Sequence, residues 1–167
     1  MDIIITSPSL DARQNVSGIS SIVQVIVSNN RQNKYVHFRL GKRDDEARRL
    51  SWFLRTMTVY ASWCRMLLIR RDRLIHFNLA LDTLALIRDV PLILATRLSR
   101  RRMILHLHGG AMSETTKPPP WRQYLLKLVL GGRSPKIVLS RLEQTGLQAA
   151  IKRDNIVVLP NCVDLTA

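Results

Sequence analysis

Strand-like runs alternate with apolar stripes of helical spacing along the whole chain, and that alternation limits its fold more than any other feature. Asp2 to Thr6 is β-branched, and Tyr35 to Leu40 alternates as a strand does. Leu74 to Asn78, Met103 to Leu107, Lys136 to Ser140 and Ile156 to Leu159 continue the series. Such an order implies parallel strands, because each parallel neighbour needs a crossover, usually a helix. The expected fold is α/β: a Rossmann-like doubly wound parallel sheet of about six strands, helices on both faces. Right-handed crossovers favour the strand order 3-2-1-4-5-6. The chain has 167 residues, 46% of them hydrophobic, enough for one such domain over 1–167. No internal repeat or low-complexity linker divides it.

The intervening stripes predict the helices. Ser17 and Gly18 precede Ile19, Ile22, Val23 and Ile26, four apolar groups on one helical face. A long helix opens at Asp44 and Asp45, with Ala47, Leu50, Leu54, Met57, Ala61, Cys64 and Leu68 as its buried stripe. Trp52, Tyr60 and Trp63 lie beside that stripe and either widen the buried face, the favoured reading, or form a contact surface. Asp82 and Thr83 start a short helix ending near Arg88, and Asp89 with Pro91 fits a second start. Leu92, Ala95 and Leu98 then share a face, and Arg97 and Arg100 to Arg102 gather at its end. Trp121, Tyr124, Leu125, Leu128 and Val129 form the next stripe, suited either to the core or to a membrane surface. Ser140 and Glu143 have capping-box spacing, with Leu142, Ala149 and Ala150 in the helix that follows.

Candidate site residues come from strand ends. Met103 to Leu107 breaks at His108, followed by Gly109 and Gly110, the pattern of a parallel strand whose carboxyl end opens into a ligand crevice. Glycine there permits a sharp turn and close approach of a ligand. The alternative is that His106 and His108 face solvent from a half-exposed strand. His76 reads as a packed or partly exposed strand residue. Ser17 and Gly18 open a helix whose free N–H groups suit a phosphate, or simply form an ordinary serine cap.

Twenty-six Lys and Arg against twelve Asp and Glu give a formal charge of +14, so the expected partner is anionic: a phosphate-bearing substrate, a membrane face or nucleic acid. Nucleic acid has only the charge in its favour, with no zinc spacing, aromatic-basic motif or recognition helix beside it. Cys64 and Cys162 have no metal-ligand spacing and read as reduced thiols of a cytoplasmic protein, with a disulfide as the alternative. No metal site or cofactor is expected. No signal-peptide pattern or spanning apolar run occurs, so membrane contact is expected to be peripheral, at the inner face.

Three stretches carry a resemblance: Asn15 to Ser20 after the first strand, Leu105 to Gly110, and LPNCVD at Leu159 to Asp164. In order and surroundings they resemble the amino-terminal domain of family 4 glycosyltransferases, retaining enzymes of the GT-B fold, over nearly the whole chain. LPNCVD is similar to that family's Pro-Asn-Gly-Val-Asp signature, with Cys162 in the glycine's place. The resemblance implies an acceptor-side domain without its donor domain. The complete enzyme would move a hexose from a nucleotide-sugar donor to a saccharide or lipid-linked acceptor. Ser17, Gly18, Gly109 and Gly110 would then face the donor phosphate or cleft, His108 would approach the transferring sugar, and Asn161 and Asp164 would form the interdomain turn. The competing expectation is a non-catalytic Rossmann-like module that binds a phosphate-bearing ligand, a partner protein or an anionic surface.

Overall fold

A computed structural model describes residues 1–11, 13–41, 50–69, 73–109, 118–151 and 155–161. Its strands are β1 (Asp2–Ser7), β2 (Lys34–Arg39), β3 (Leu74–Ala80), β4 (Met103–His108), β5 (Lys136–Val138) and β6 (Ile156–Val158). Its helices are α1 (Gly18–Asn29), α2 (Leu50–Ile69), α3 (Thr83–Leu98), α4 (Pro120–Leu130) and α5 (Arg141–Ile151). Every strand pairing is parallel, so the fold is the Rossmann-like α/β sheet the alternation predicts.

The strand order is β2-β1-β3-β4-β5-β6, which corrects the expected 3-2-1-4-5-6. β3 sits beside β1 rather than outside β2, and composition explains why. Ile75 to Leu79 are all buried, as a central strand must be, whereas β2 is exposed or half-buried throughout. Lys34, His37 and Arg39 suit an edge, where charge discourages pairing with another chain.

The chain steps one way from β1 to β2 and the other way from β3 to β6. Right-handed crossovers therefore put α1 on one face and α2 to α5 on the other. The larger core lies on the second face, where Ile4, Phe77 and Leu105 join Trp63, Leu86, Ile93, Val129 and Leu147. Trp63 is its keystone: the ring meets Phe38 and Phe77 edge-on, with centroids 4.8 and 5.7 Å away. Its indole N–H reaches Thr96 Oγ1 at 3.1 Å and Leu92 O at 3.2 Å, so a bulky group is buried without an unmet donor. On the first face α1 packs on β1, with Ile22, Val23, Ile3 and Ile5 buried.

Several helix expectations are corrected. On α2 the aromatic side turns inward, and Leu54, Met57, Ala61, Cys64 and Leu68 are exposed. The indole of Trp63 fills a gap between Phe38 and Phe77 that none of the stripe's smaller side chains spans. Asp44, Asp45 and Ala47 lie outside the described residues. Asp82 caps α3 as expected, its Oδ1 accepting from the N–H groups of Leu84 and Ala85 at 3.0 Å. No second helix starts at Asp89, since α3 runs through Pro91. Leu86, Val90 and Ile93 pack continuously into the core, which offsets the roughly 3 kcal/mol that an interior proline costs. Leu98 is exposed, as are Trp121, Tyr124 and Leu142, while Leu147 is the buried anchor of α5. The Ser140–Glu143 cap forms with a shift: Glu143 N–H donates to Ser140 Oγ, and Glu143 Oε2 accepts from the N–H of Leu139 rather than of Ser140.

Part of the positive charge is structural. The Arg97 guanidinium donates to the carbonyls of Leu128 and Val129 at the end of α4, fastening α3 to α4 where the last carbonyls lack helical partners. Lys136, fully buried, donates through Nζ to Gly132 O at 2.9 Å and Ser134 O at 3.0 Å. A Cβ on Gly132 would collide with the Arg97 guanidinium. Gly132→Ala is therefore expected to displace Arg97 and cost about 1–3 kcal/mol, the penalty of leaving buried partners unmet. Urea unfolding measures this; a midpoint equal to wild type would show that Arg97 moves freely.

Candidate functional site

The carboxyl ends of β1 and β3 are neighbours from which the chain departs to opposite faces of the sheet. That is a topological switch point, where diverging connections leave a crevice. A cleft of about 450 Å3 lies there. Ser7 and Pro8 line it from the end of β1, Ser17 and Ile19 from the start of α1, and Asn78, Ala80 and Asp82 from the end of β3. The α2 side chains Trp52, Phe53, Thr56, Met57 and Tyr60 face Leu84, Ala85, Ile87 and Arg88 of α3 across it. The lining is mostly hydrocarbon, and its volume falls in the roughly 300–1,000 Å3 range of small-molecule sites.

A buried polar chain stands behind the cleft. His108 Nε2 lies 2.8 Å from Asn78 Oδ1, Asn78 Nδ2 donates to Thr6 O at 2.8 Å, and the Asn78 N–H donates to Thr6 Oγ1 at 2.9 Å. β1, β3 and β4 are thereby cross-linked beneath Ser7 and Ala80. The rings of His106 and His108 lie tilted against each other with centroids 4.2 Å apart, and His106 stacks on His76, its Nδ1 3.3 Å from His76 Nε2. Parallel register explains the cluster, since alternate residues of β3 and β4 share a face: Asn78 is level with His106, and Ala80 with His108. His106 and His108 are 1% and 5% exposed, which removes the solvent-facing alternative. His76 is packed. Burial drives all three imidazoles toward the neutral form, to about 4 for His76, about 3 for His106 and about 4 for His108, with the neighbouring imidazoles adding to the effect on the last two. His106 Nε2 is buried without a hydrogen-bond partner.

The expected site residues separate. Ser17 caps α1, its Oγ accepting from the Ile19 N–H at 3.2 Å, and it borders the cleft. Gly18 opens the helix, with nothing within 4 Å of where a side chain would begin. Gly109 has φ +92° and the same open space, so the turn after His108 needs glycine. His108 contacts the cleft's residue Asn78 rather than lining the cleft itself. Asn161 is exposed beyond β6, and Gly110, Cys162 and Asp164 lie outside the described residues. Cys64 is a free thiol. Among the described residues, no group of three His, Cys, Asp or Glu is arranged to hold a metal.

Sequence reasoning missed Asn78, the α2–α3 side of the cleft and the Arg88–Asp89 pair. Arg88 Nε and Nη2 donate to the two Asp89 oxygens at 2.6 and 2.8 Å, and Tyr60 Oη donates to Arg88 O at 2.8 Å. Burial raises the Asp89 pKa and Arg88 opposes that. The juxtaposed Asp89 and Pro91 suggested a helix start, which concealed the ion pair. Ser7 and His37 make a serine–histidine contact of 2.9 Å. Ser7 Oγ lies equally close to Pro8 O, at 2.9 Å, so the carbonyl competes with His37 for its hydrogen.

No protein-family model matches the chain, and no match was found among curated proteins or solved structures. No helix among the described residues is long and apolar enough to cross a membrane.

Proposed function

We propose that the chain is the acceptor-side domain of a retaining glycosyltransferase, which binds its acceptor in the switch-point cleft. The position and hydrocarbon lining of that cleft support this reading most directly. A nucleotide diphosphate needs convergent donors, whereas an acceptor with an apolar portion needs this kind of surface. The three-stretch resemblance supplies the reaction: hexose transfer from a nucleotide sugar held by a separate donor domain to a saccharide or lipid-linked acceptor. In this reading the protein works in the cytoplasm at the inner face of the membrane, and Ser17, Gly18 and Gly109 border the path of the donor phosphate. Asn161 belongs to the segment that leads toward the donor domain.

His108 holds Asn78 against the cleft, and through that contact it positions the reacting groups. Positioning that matters most in the transition state appears in turnover rather than in affinity. In an enzyme completed with a donor domain, His108→Leu is expected to lower kcat on the order of 100-fold, the effect of a small misplacement of reacting groups, with KM little changed. His108→Gln, which keeps a donor for Asn78, is expected to restore most of the loss. Equal damage by both variants would return His108 to a packing role. The function itself is tested with radiolabelled nucleotide sugar: the chain alone transfers nothing, and adding a donor domain restores transfer. Turnover by the purified chain alone would overturn the assignment.

A further inference from the structure

The outward face of α2 is apolar where a soluble helix is normally polar. Phe53 and Leu54 are 51% and 57% exposed, and Met57, Cys64, Leu68 and Ile69 are exposed along the same helix. Helical neighbours of this kind make a continuous patch, and large exposed apolar patches mark contact with a membrane or a protein. The charge decides between them. The twenty residues of α2 contain Arg55 and Arg65 and no acidic residue, within a chain of formal charge +14. A second copy would bring the same net charge of +14 to the interface, whereas an anionic bilayer complements it. The patch also continues into the cleft mouth, because Phe53 and Met57 of α2 and Leu84 and Ile87 of α3 are both exposed and lining residues.

We infer that α2 lies in the interface of an anionic bilayer, and that the cleft beside it receives the hydrocarbon chain of a single-chain anionic amphiphile taken from that bilayer. The helix does not span: its buried side carries Trp63 and Leu67, which belong to the protein core, and only the opposite side is free for lipid. A chain entering between Met57 and Ile87 leaves the membrane without crossing water. This rests on the proposed acceptor role only in identifying the amphiphile as the acceptor.

Two measurements on the whole chain test it. Flotation with vesicles of phosphatidylglycerol and phosphatidylcholine should recover the protein, and the double variant Leu54→Ser with Leu68→Ser should lower recovery about tenfold, since each large apolar side chain withdrawn from lipid is worth a factor of several. Trp121→Ser, on α4, should leave it unchanged. Calorimetry with dodecyl phosphate below its micelle concentration should show one saturable site, weakened about tenfold by Thr56→Phe, which fills the cleft. Inorganic phosphate should not compete. Circular dichroism at wild-type intensity keeps both variants interpretable, and Ala80→Leu fills the cleft from β3 should Thr56→Phe misfold. Recovery lost with Trp121→Ser instead, dimerisation through α2 without vesicle binding, or dodecyl phosphate binding indifferent to both cleft variants would overturn the inference. Amphiphile binding without sugar transfer by the completed enzyme would instead remove the glycosyltransferase reading and leave the lipid site standing.

Discussion

Acidification from pH 7 to pH 4.5 is expected to unfold much of this protein, because three buried imidazoles stay neutral in the folded state and become protonated in the unfolded one. An unfolded histidine titrates near 6.5, whereas His76, His106 and His108 fold with values of about 4, 3 and 4. These pKa values are lowered on folding. Their contribution is therefore fully present above pH 6.5 and is lost as pH falls toward 4, where the unfolded state binds protons the native state refuses. Within that window each group shifts the folding equilibrium by about tenfold per pH unit, against a total stability of about 5–15 kcal/mol for a typical domain. Thermal unfolding at pH 7, 6, 5 and 4.5 reads this directly. His106→Leu, which also removes the unmet Nε2, should flatten the dependence by one proton. A midpoint constant between pH 7 and pH 5 would mean that the cluster opens to solvent.

Arg88→Leu should be the most damaging single change near the cleft. Asp89 is 1% exposed, and Arg88 grips both of its oxygens. Without the guanidinium, a carboxylate remains buried near Tyr60, on the helix that packs against α2. Removing one partner of a buried pair costs roughly 3–5 kcal/mol, because the other charge stays uncompensated. Replacing both together, as Arg88→Leu with Asp89→Leu, should recover most of that loss. Urea denaturation of the single and double variants makes the test. A double variant no more stable than the single would show that the pair organises α3 by more than mutual neutralisation.

What could be read in the sequence follows from which forces act locally. Strand and helix alternation is local, so the elements and their parallel pairing were legible. Strand order was not, although the polar character of Lys34, His37 and Arg39 already marked β2 as an edge. The two apolar sides of α2 compete in hydropathy, and only volume against Phe38 and Phe77 shows that Trp63 goes inward. His108 was visible as a strand-end residue beside glycines. Its partner Asn78 was not, because their contact depends on the register of β3 with β4.

The central claim is that the ligand enters at the switch point between β1 and β3, with its hydrocarbon portion between α2 and α3. Methyl NMR during a titration with dodecyl phosphate tests this most directly. Shifts should concentrate on Ile19, Met57, Leu84 and Ile87, which line the cleft, and leave Val25 and Ile26, in the separate groove beside His76, unmoved. Shifts confined to that groove or to α4, or no saturable shift at all, would contradict the account.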